Sequence, residues 1–253
     1  EKHNPGDLLH RKVEAARFVT TCTRANHDHL GARLGEAPRL HTVYHGLDTA
    51  FFHPVPRAKE GPARILAVGR HVEKKGFDVL LAALAELRRR GTDFRFRLIG
   101  EEGPATFELA RQLALNDLAD CCTIAPPEPR EQLRASYHAA DIFVLPCRID
   151  DSGDRDGIPN VLTEAMATGL AVLSTHVSGI PEIVDDGVNG LLVAPDNVGE
   201  LADALEMLCR EPALRGKLGA AATRQIAEVF DADRTILDLS ALFDGCLHRE
   251  AAE

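Results

Sequence analysis

From residue 64 onward the chain alternates short β-rich runs with longer helical ones, and no other feature constrains its fold as tightly. Residues 64–68 read as a buried strand. Phe77, Leu80, Leu81, Leu84 and Leu87 then fall on one helical face, because side chains three and four positions apart meet there. Arg88, Arg89 and Arg90 set cations at the negative end of that helix, and Gly91 is suited to close it. The same reading gives strands at 94–99, 123–124, 142–145, 171–174 and 190–193. It gives helices at 106–115, 131–139, 160–168, 201–209 and 213–227, with Gly169 closing one and Pro212 opening another. Repeated strand–helix–strand units of this length predict an α/β fold with a doubly wound parallel sheet. On such sheets ligands bind beyond the carboxyl ends of the strands. The loops that matter are therefore 69–76, 100–104, 146–159 and 175–182.

Residues 1–55 follow a different pattern. Helices at 7–16 and 24–34 alternate with strands at 18–22 and 40–44, ahead of His45-Gly46-Leu47-Asp48. Residues 51–56 and the polar stretch to Pro62 read as a domain edge and linker. Two strands do not make a stable domain alone. Residues 1–55 are therefore expected to be the tail of an N-terminal domain, and the start at Glu1 rather than Met reads as a piece of something longer. Residues 56–228 are expected to form the sheet domain, and 229–253 a helix that packs back toward the N-terminal segment.

The chain has 253 residues and is 45% hydrophobic, enough for one large globular domain or a domain plus a fragment of another. Its net charge of −10 argues against a nucleic-acid partner, which calls for a basic face. Phosphate binding stays open, because two or three local cations and a helix N-terminus hold an anion on an acidic protein. The six cysteines (Cys22, Cys121, Cys122, Cys147, Cys209 and Cys246) form no C-x-x-C pair, and no His spacing completes a zinc pattern. Reduced, buried thiols in a cytoplasmic protein are the expectation. No apolar run approaches the roughly 18 residues of a membrane span, and no signal peptide is visible.

Two stretches carry chemistry. The first is Gly69-Arg70-His71-Val72-Glu73-Lys74-Lys75-Gly76, between a strand and a helix. Gly69 lets the chain turn, and Arg70 and Lys75 can both face an anion above the sheet. Taken alone, the same residues also read as a solvated basic turn. The second runs from Asp156 to Ala167 and places two carboxylates, Asp156 and Glu164, eight positions apart. Between them Gly157, Ile158, Pro159, Asn160 and Val161 expose backbone amides at a helix start, suited to phosphate oxygens. Glu164 sits one turn inside, where its two oxygens can accept from both ribose hydroxyls. Each acid alone also reads as an ordinary surface charge.

Together with Leu98 to Pro104, Ala140 to Pro146 and Gly179 to Val193, these stretches form an ordered series. The series resembles the C-terminal domain of the GT-B-fold retaining glycosyltransferases of family four, also called group 1. The resemblance spans about residues 60–230, and residues 17–55 resemble that family's exit from its N-terminal domain. It implies a Rossmann-like C-terminal half of a GT-B fold that binds a UDP- or GDP-linked sugar and transfers a hexosyl-type sugar with retention. Arg70 and Lys75 would neutralise the donor diphosphate as it leaves, Asp156 would touch the donor sugar, and Glu164 would hold the ribose. Gly69 and residues 157–161 would line the donor site, with the amides of Ile158, Asn160 and Val161 near the phosphates. No cofactor or metal is required on this reading. The acceptor would be a glycan or a lipid-linked acceptor bound through the N-terminal domain, with peripheral membrane association of the whole protein.

Three departures stand out. The first acid is Asp rather than Glu, one methylene shorter. Ala125-Pro126-Pro127 replaces the family's glycine turn near the nucleobase. Most of the N-terminal domain is expected to lie outside this sequence. The acidic run from Asp150 to Asp156 invites a metal reading, but Arg155 stands where a calcium loop needs Gly and Val161 where it needs Glu. His71 is expected to face solvent. Cys121 and Cys122 are expected to put one thiol in the core and one outside. His41, His45 and His53 show no ligand spacing. Glu182 reads as a residue near the site or at a short helix start. The competing functions are a nucleotide-sugar epimerase, a phosphorylase on the same fold, and a binding-only module.

Overall fold

The computed structural model describes residues 6–34, 39–57 and 61–250. Expectations that fall on residues 1–5, 35–38, 58–60 and 251–253 lie outside them.

Six parallel strands form the main sheet: β3 (Ala63–Val68), β4 (Phe94–Ile99), β5 (Cys122–Ala125), β6 (Ile142–Val144), β7 (Ala171–Thr175) and β8 (Leu191–Val193). Their order is β5-β4-β3-β6-β7-β8. The first three strands step outward one way, and the chain then returns to place β6 beside β3, pairing Ile65 with Ile142 and Leu66 with Phe143. The carboxyl ends of β3 and β6 therefore flank the topological switch point, where such sheets leave a crevice. Strands β6 and β7 are buried at every position, as central strands covered on both faces must be. Strand β4 alternates instead, with Phe94 and Phe96 inside and Arg95 and Arg97 outside.

Helix α3 (Phe77–Arg89) forms where the apolar face predicts it, and Leu80, Leu81, Leu84 and Leu87 are fully buried. Gly91 ends it with φ 74°, a left-handed turn that bulky residues resist. Helices α4 (Thr106–Leu115), α5 (Arg130–Ala139) and α6 (Asn160–Ala167) follow their expected spans. Helix α7 (Val198–Arg210) starts three residues earlier than expected, because the Asn197 side chain accepts from the Glu200 amide at 3.0 Å and caps it. Helix α8 (Pro212–Val229) opens on Pro212.

The N-terminal segment contributes α1 (Gly6–Ala15), α2 (Arg24–Leu34) and a separate two-stranded parallel sheet of β1 (Val19–Thr21) and β2 (Leu40–Thr42). The last helix, α9 (Ala232–Glu250), lies against that segment. Phe243 meets Phe18 edge-on at 5.0 Å, and Phe230 meets Tyr44 at 4.7 Å. Leu47 bonds through its backbone to Phe230 and Ala232, at 2.7 and 2.9 Å. Arg57 pins the linker by donating to the carbonyls of Ala140, Thr168 and Gly169, at the negative ends of α5 and α6.

All six cysteines are free. Cys121 and Cys122 are both buried, contrary to the expected split. Cys121 sits in the turn before β5, where strand alternation has not begun, and Arg88 donates to its sulfur at 3.3 Å.

Candidate functional site

The loop after β3 holds a short 3-10 turn at Glu73–Lys75 and ends on Gly76. Gly76 has φ 65°, and a Cβ there would collide with the Pro146 carbonyl oxygen of the loop after β6. Only glycine meets both demands. The Arg148 amide also donates to the Lys74 carbonyl at 2.9 Å. The two loops at the switch point are thus zipped together, and their side chains converge.

Of the ten residues singled out in the sequence, nine line one cavity of about 400 Å³: Gly69, Arg70, Lys75, Asp156, Gly157, Ile158, Pro159, Asn160 and Val161. Pro159 is the N-cap of α6 and supplies no capping side chain. The amides of Ile158, Asn160 and Val161 have no hydrogen-bond partner among the described residues. The positive end of the α6 dipole therefore opens into the cavity. Arg70 is exposed and forms no ion pair among the described residues.

Lys75 is in a different state. Its Nζ lies 2.7 Å from Asp156 Oδ2. Lys74 reaches the same carboxylate at 3.4 Å and Asp154 at 3.2 Å. Burial opposes the charge on Asp156, but Lys75 and then Lys74 outweigh it and hold the carboxyl below the usual aspartate range. Cys147 donates to Asp156 at 3.6 Å, a thiol that burial pushes up to about 12.

Glu164 does not line the cavity. Tyr137 of α5, fully buried, donates its hydroxyl to Glu164 Oε2 at 2.8 Å. Burial raises the Glu164 carboxyl above its ordinary value, against the opposing pull of Tyr137 and Arg130. Arg130 stands 3.9 Å from the centre of the Phe51 ring and 3.2 Å from Asp48.

Lys74, Cys22, His45, Thr163 and Phe230 border this chemistry without having been assigned to it. Cys22, His45 and Phe230 reach the cavity through long-range packing, which local pattern does not encode. Its trace is at Gly157 and Gly179, where a Cβ would stand 3.2 and 2.7 Å from the Thr23 methyl. His71 is a correction: it is 1% exposed rather than solvent-facing, with Nδ1 2.9 Å from Thr106 Oγ1. Glu182 accepts from the Arg24 and Ala25 amides at 2.7 and 2.9 Å, so it caps α2. In the acidic loop, Asp150 accepts from the amides of Ser152 and Asp154 and from the Ser152 hydroxyl. Among the described residues no cluster of three or more His, Cys, Asp or Glu is placed to hold a metal ion. None of their helices is long and apolar enough to cross a membrane.

The family profile described as Glycosyl transferases group 1 matches residues 62–211. An amylovoran biosynthesis glycosyltransferase of Erwinia amylovora is 36% identical over 170 residues, 67% of this chain and 42% of that protein. A Mycolicibacterium smegmatis protein, named a GDP-mannose-dependent alpha-(1-6)-phosphatidylinositol monomannoside mannosyltransferase, is 31% identical over 224 residues, 84% of this chain and 58% of that one. Anabaena HepE, solved with UDP and glucose, superposes with a TM-score of 0.80 at 20% identity, over 96% of this chain and 68% of its own. The chain spans 39% to 58% of the length of the curated relatives it matches. None of these proteins is named an epimerase or a phosphorylase.

Proposed function

The chain belongs to the group 1 glycosyl transferases, and from that premise we propose that it is the donor-binding part of an enzyme that transfers a hexosyl-type sugar from a UDP- or GDP-linked donor. One observation carries the proposal: Arg70, Lys75 and the unpartnered amides at the start of α6 face one cavity at the switch point. A diphosphate fits that combination. The guanidinium offers a fork of donors, the ammonium a point charge, and the helix terminus a partial positive charge. As the sugar–phosphate bond breaks, negative charge grows on the departing diphosphate. Fixed cations and amides stabilise it more than they stabilise the intact donor, which lowers the barrier. The transfer retains the anomeric configuration, and no metal is required, since protein cations supply the positive charge.

In this reading Asp156 serves the donor sugar and is tethered by the two lysines until the donor arrives. Glu164 takes the ribose, with Tyr137 orienting one carboxylate oxygen. The acceptor is a glycan or a lipid-type molecule. The Erwinia and Mycolicibacterium names support that class, and a lipid-linked acceptor brings the protein to a membrane surface. Six free thiols fit a cytoplasmic setting.

Titrating the chain with a panel of UDP- and GDP-linked sugars tests the proposal. Saturable binding of one series is the expected result. No binding of any member would overturn it.

A further inference from the structure

His71 is buried, yet its Nε2 has no hydrogen-bond partner among the described residues. Buried polar atoms left unpaired are rare in folded proteins and call for a reason. The surroundings supply one. His71 Nδ1 lies 2.9 Å from Thr106 Oγ1, and that same oxygen accepts from the Gly103 amide at 2.8 Å. The His71 amide donates to the Glu101 carbonyl at 3.0 Å, and its carbonyl accepts from the Ala105 amide at 3.1 Å. Three bonds thus tie one residue of the β3–α3 loop to the β4–α4 loop and the first residue of α4. The backbones there are in contact as well: a Cβ at Gly100 would collide with the Gly69 carbonyl. Phe77 closes the other side, edge-on at 6.3 Å from the imidazole centre.

Arg70, the neighbour of this rivet, has no ion pair of its own among the described residues. Among the described residues no hydrogen bond or ion pair holds its guanidinium, so what the protein fixes is the backbone at 69–71 from which it projects. We propose that His71 is a positioning residue: its Nδ1–Thr106 bond locks the loop so that Arg70 projects into the diphosphate cavity. The inference rests on the donor-site reading above and extends it to a residue that touches no ligand. The Thr106 hydroxyl, having accepted from Gly103, still has a proton to give to Nδ1. That assignment leaves the imidazole neutral with its proton on the unpartnered Nε2. The orphaned atom is then the cost of holding Nδ1 in place.

The test is calorimetric affinity for UDP and GDP across a set of folded variants, with thermal melting recorded for each. H71F keeps the ring volume and removes the bond. It is expected to weaken the bound nucleotide about 3- to 10-fold, the scale of one hydrogen bond. H71N places an amide where Nδ1 stands and is expected to bind within about 2-fold of the original chain, a difference well below one hydrogen bond. T106V should behave as H71F and T106S as the original, which keeps the test available if H71F does not fold. In an R70A background, H71F should cause no further loss, because a residue acting through Arg70 has nothing left to act on. A purely structural histidine would lower the melting temperature and leave this coupling at zero. Full affinity in H71F and T106V, an undiminished effect in R70A, or failure of H71N to rescue would overturn the inference. If R70A loses affinity while H71F does not, only the role of His71 falls. If the original chain binds neither nucleotide, the donor-site reading falls with it.

Discussion

Two like charges in the cavity stand in opposite states, and that difference sets their behaviour. Arg70 is free to meet a ligand, whereas Lys75 already holds Asp156 at 2.7 Å. An incoming diphosphate must therefore compete with the protein's own carboxylate. Asp156→Asn is expected to tighten UDP or GDP binding several-fold by calorimetry, since the lysines lose their counter-ion, while sugar transfer by the whole enzyme falls. The two carboxylates also titrate in opposite senses. Asp156 is held below the ordinary 3.8, so the stability it contributes is present above that pH and lost as pH falls through its folded value. Glu164 is raised above 4.5, so the folded state holds its proton more tightly than the unfolded chain does. Its contribution is complete below about pH 4.5 and disappears as pH rises through the folded value. Glu164→Gln should accordingly melt at or above the temperature of the original chain at neutral pH, with the gap closing toward pH 4.5, and should bind nucleotide more weakly. Thermal melts across that range check the sign. These residues were legible because their chemistry is local: a strand, a cationic turn, a proline-capped helix start. Tyr137 behind Glu164 was not legible, because it meets that acid across 27 positions of chain. Nor was the burial of His71, which depends on Thr106 35 positions away.

At the scale of elements, periodicity carried most of the fold. Helix α3 and strands β3, β4 and β7 follow from apolar spacing, and glycines at 91 and 169 mark real left-handed turns. What spacing does not encode is how loops meet. Gly76 is the joint between the two switch-point loops, with φ 65° and the Pro146 carbonyl against its Cα. Gly76→Ala combines backbone strain with a clash that no side-chain rotation relieves. It is expected to cost about 2 kcal/mol or more. Because the displaced loops carry Arg70, Lys75 and Asp156, nucleotide affinity should fall along with stability. Gly91→Ala, also at positive φ but in open space and far from the cavity, should lower stability and leave affinity of the folded fraction unchanged. Denaturant melts paired with calorimetry separate the two outcomes.

Across the whole molecule, an acidic chain of net charge −10 brings Arg70, Lys75 and the start of α6 to one crevice of its sheet. The N-terminal segment and the end of α8 border that crevice through Cys22, His45 and Phe230, residues that no local pattern links to it. The packing of α9 against Phe18 and Leu47 gives the two ends of the chain one shared surface. The central claim is that this crevice grips a pyrophosphate with protein cations and helix amides. Calorimetry in the presence of a chelator, comparing UDP and GDP with uridine and guanosine, tests it most directly. The account predicts that at least one diphosphate binds ten-fold or more tightly than its nucleoside, as about 1.5–3 kcal/mol from each charged contact requires, and that the advantage shrinks in the R70A variant. Equal affinity for nucleoside and diphosphate, or binding that appears only when a divalent metal is restored, would contradict it.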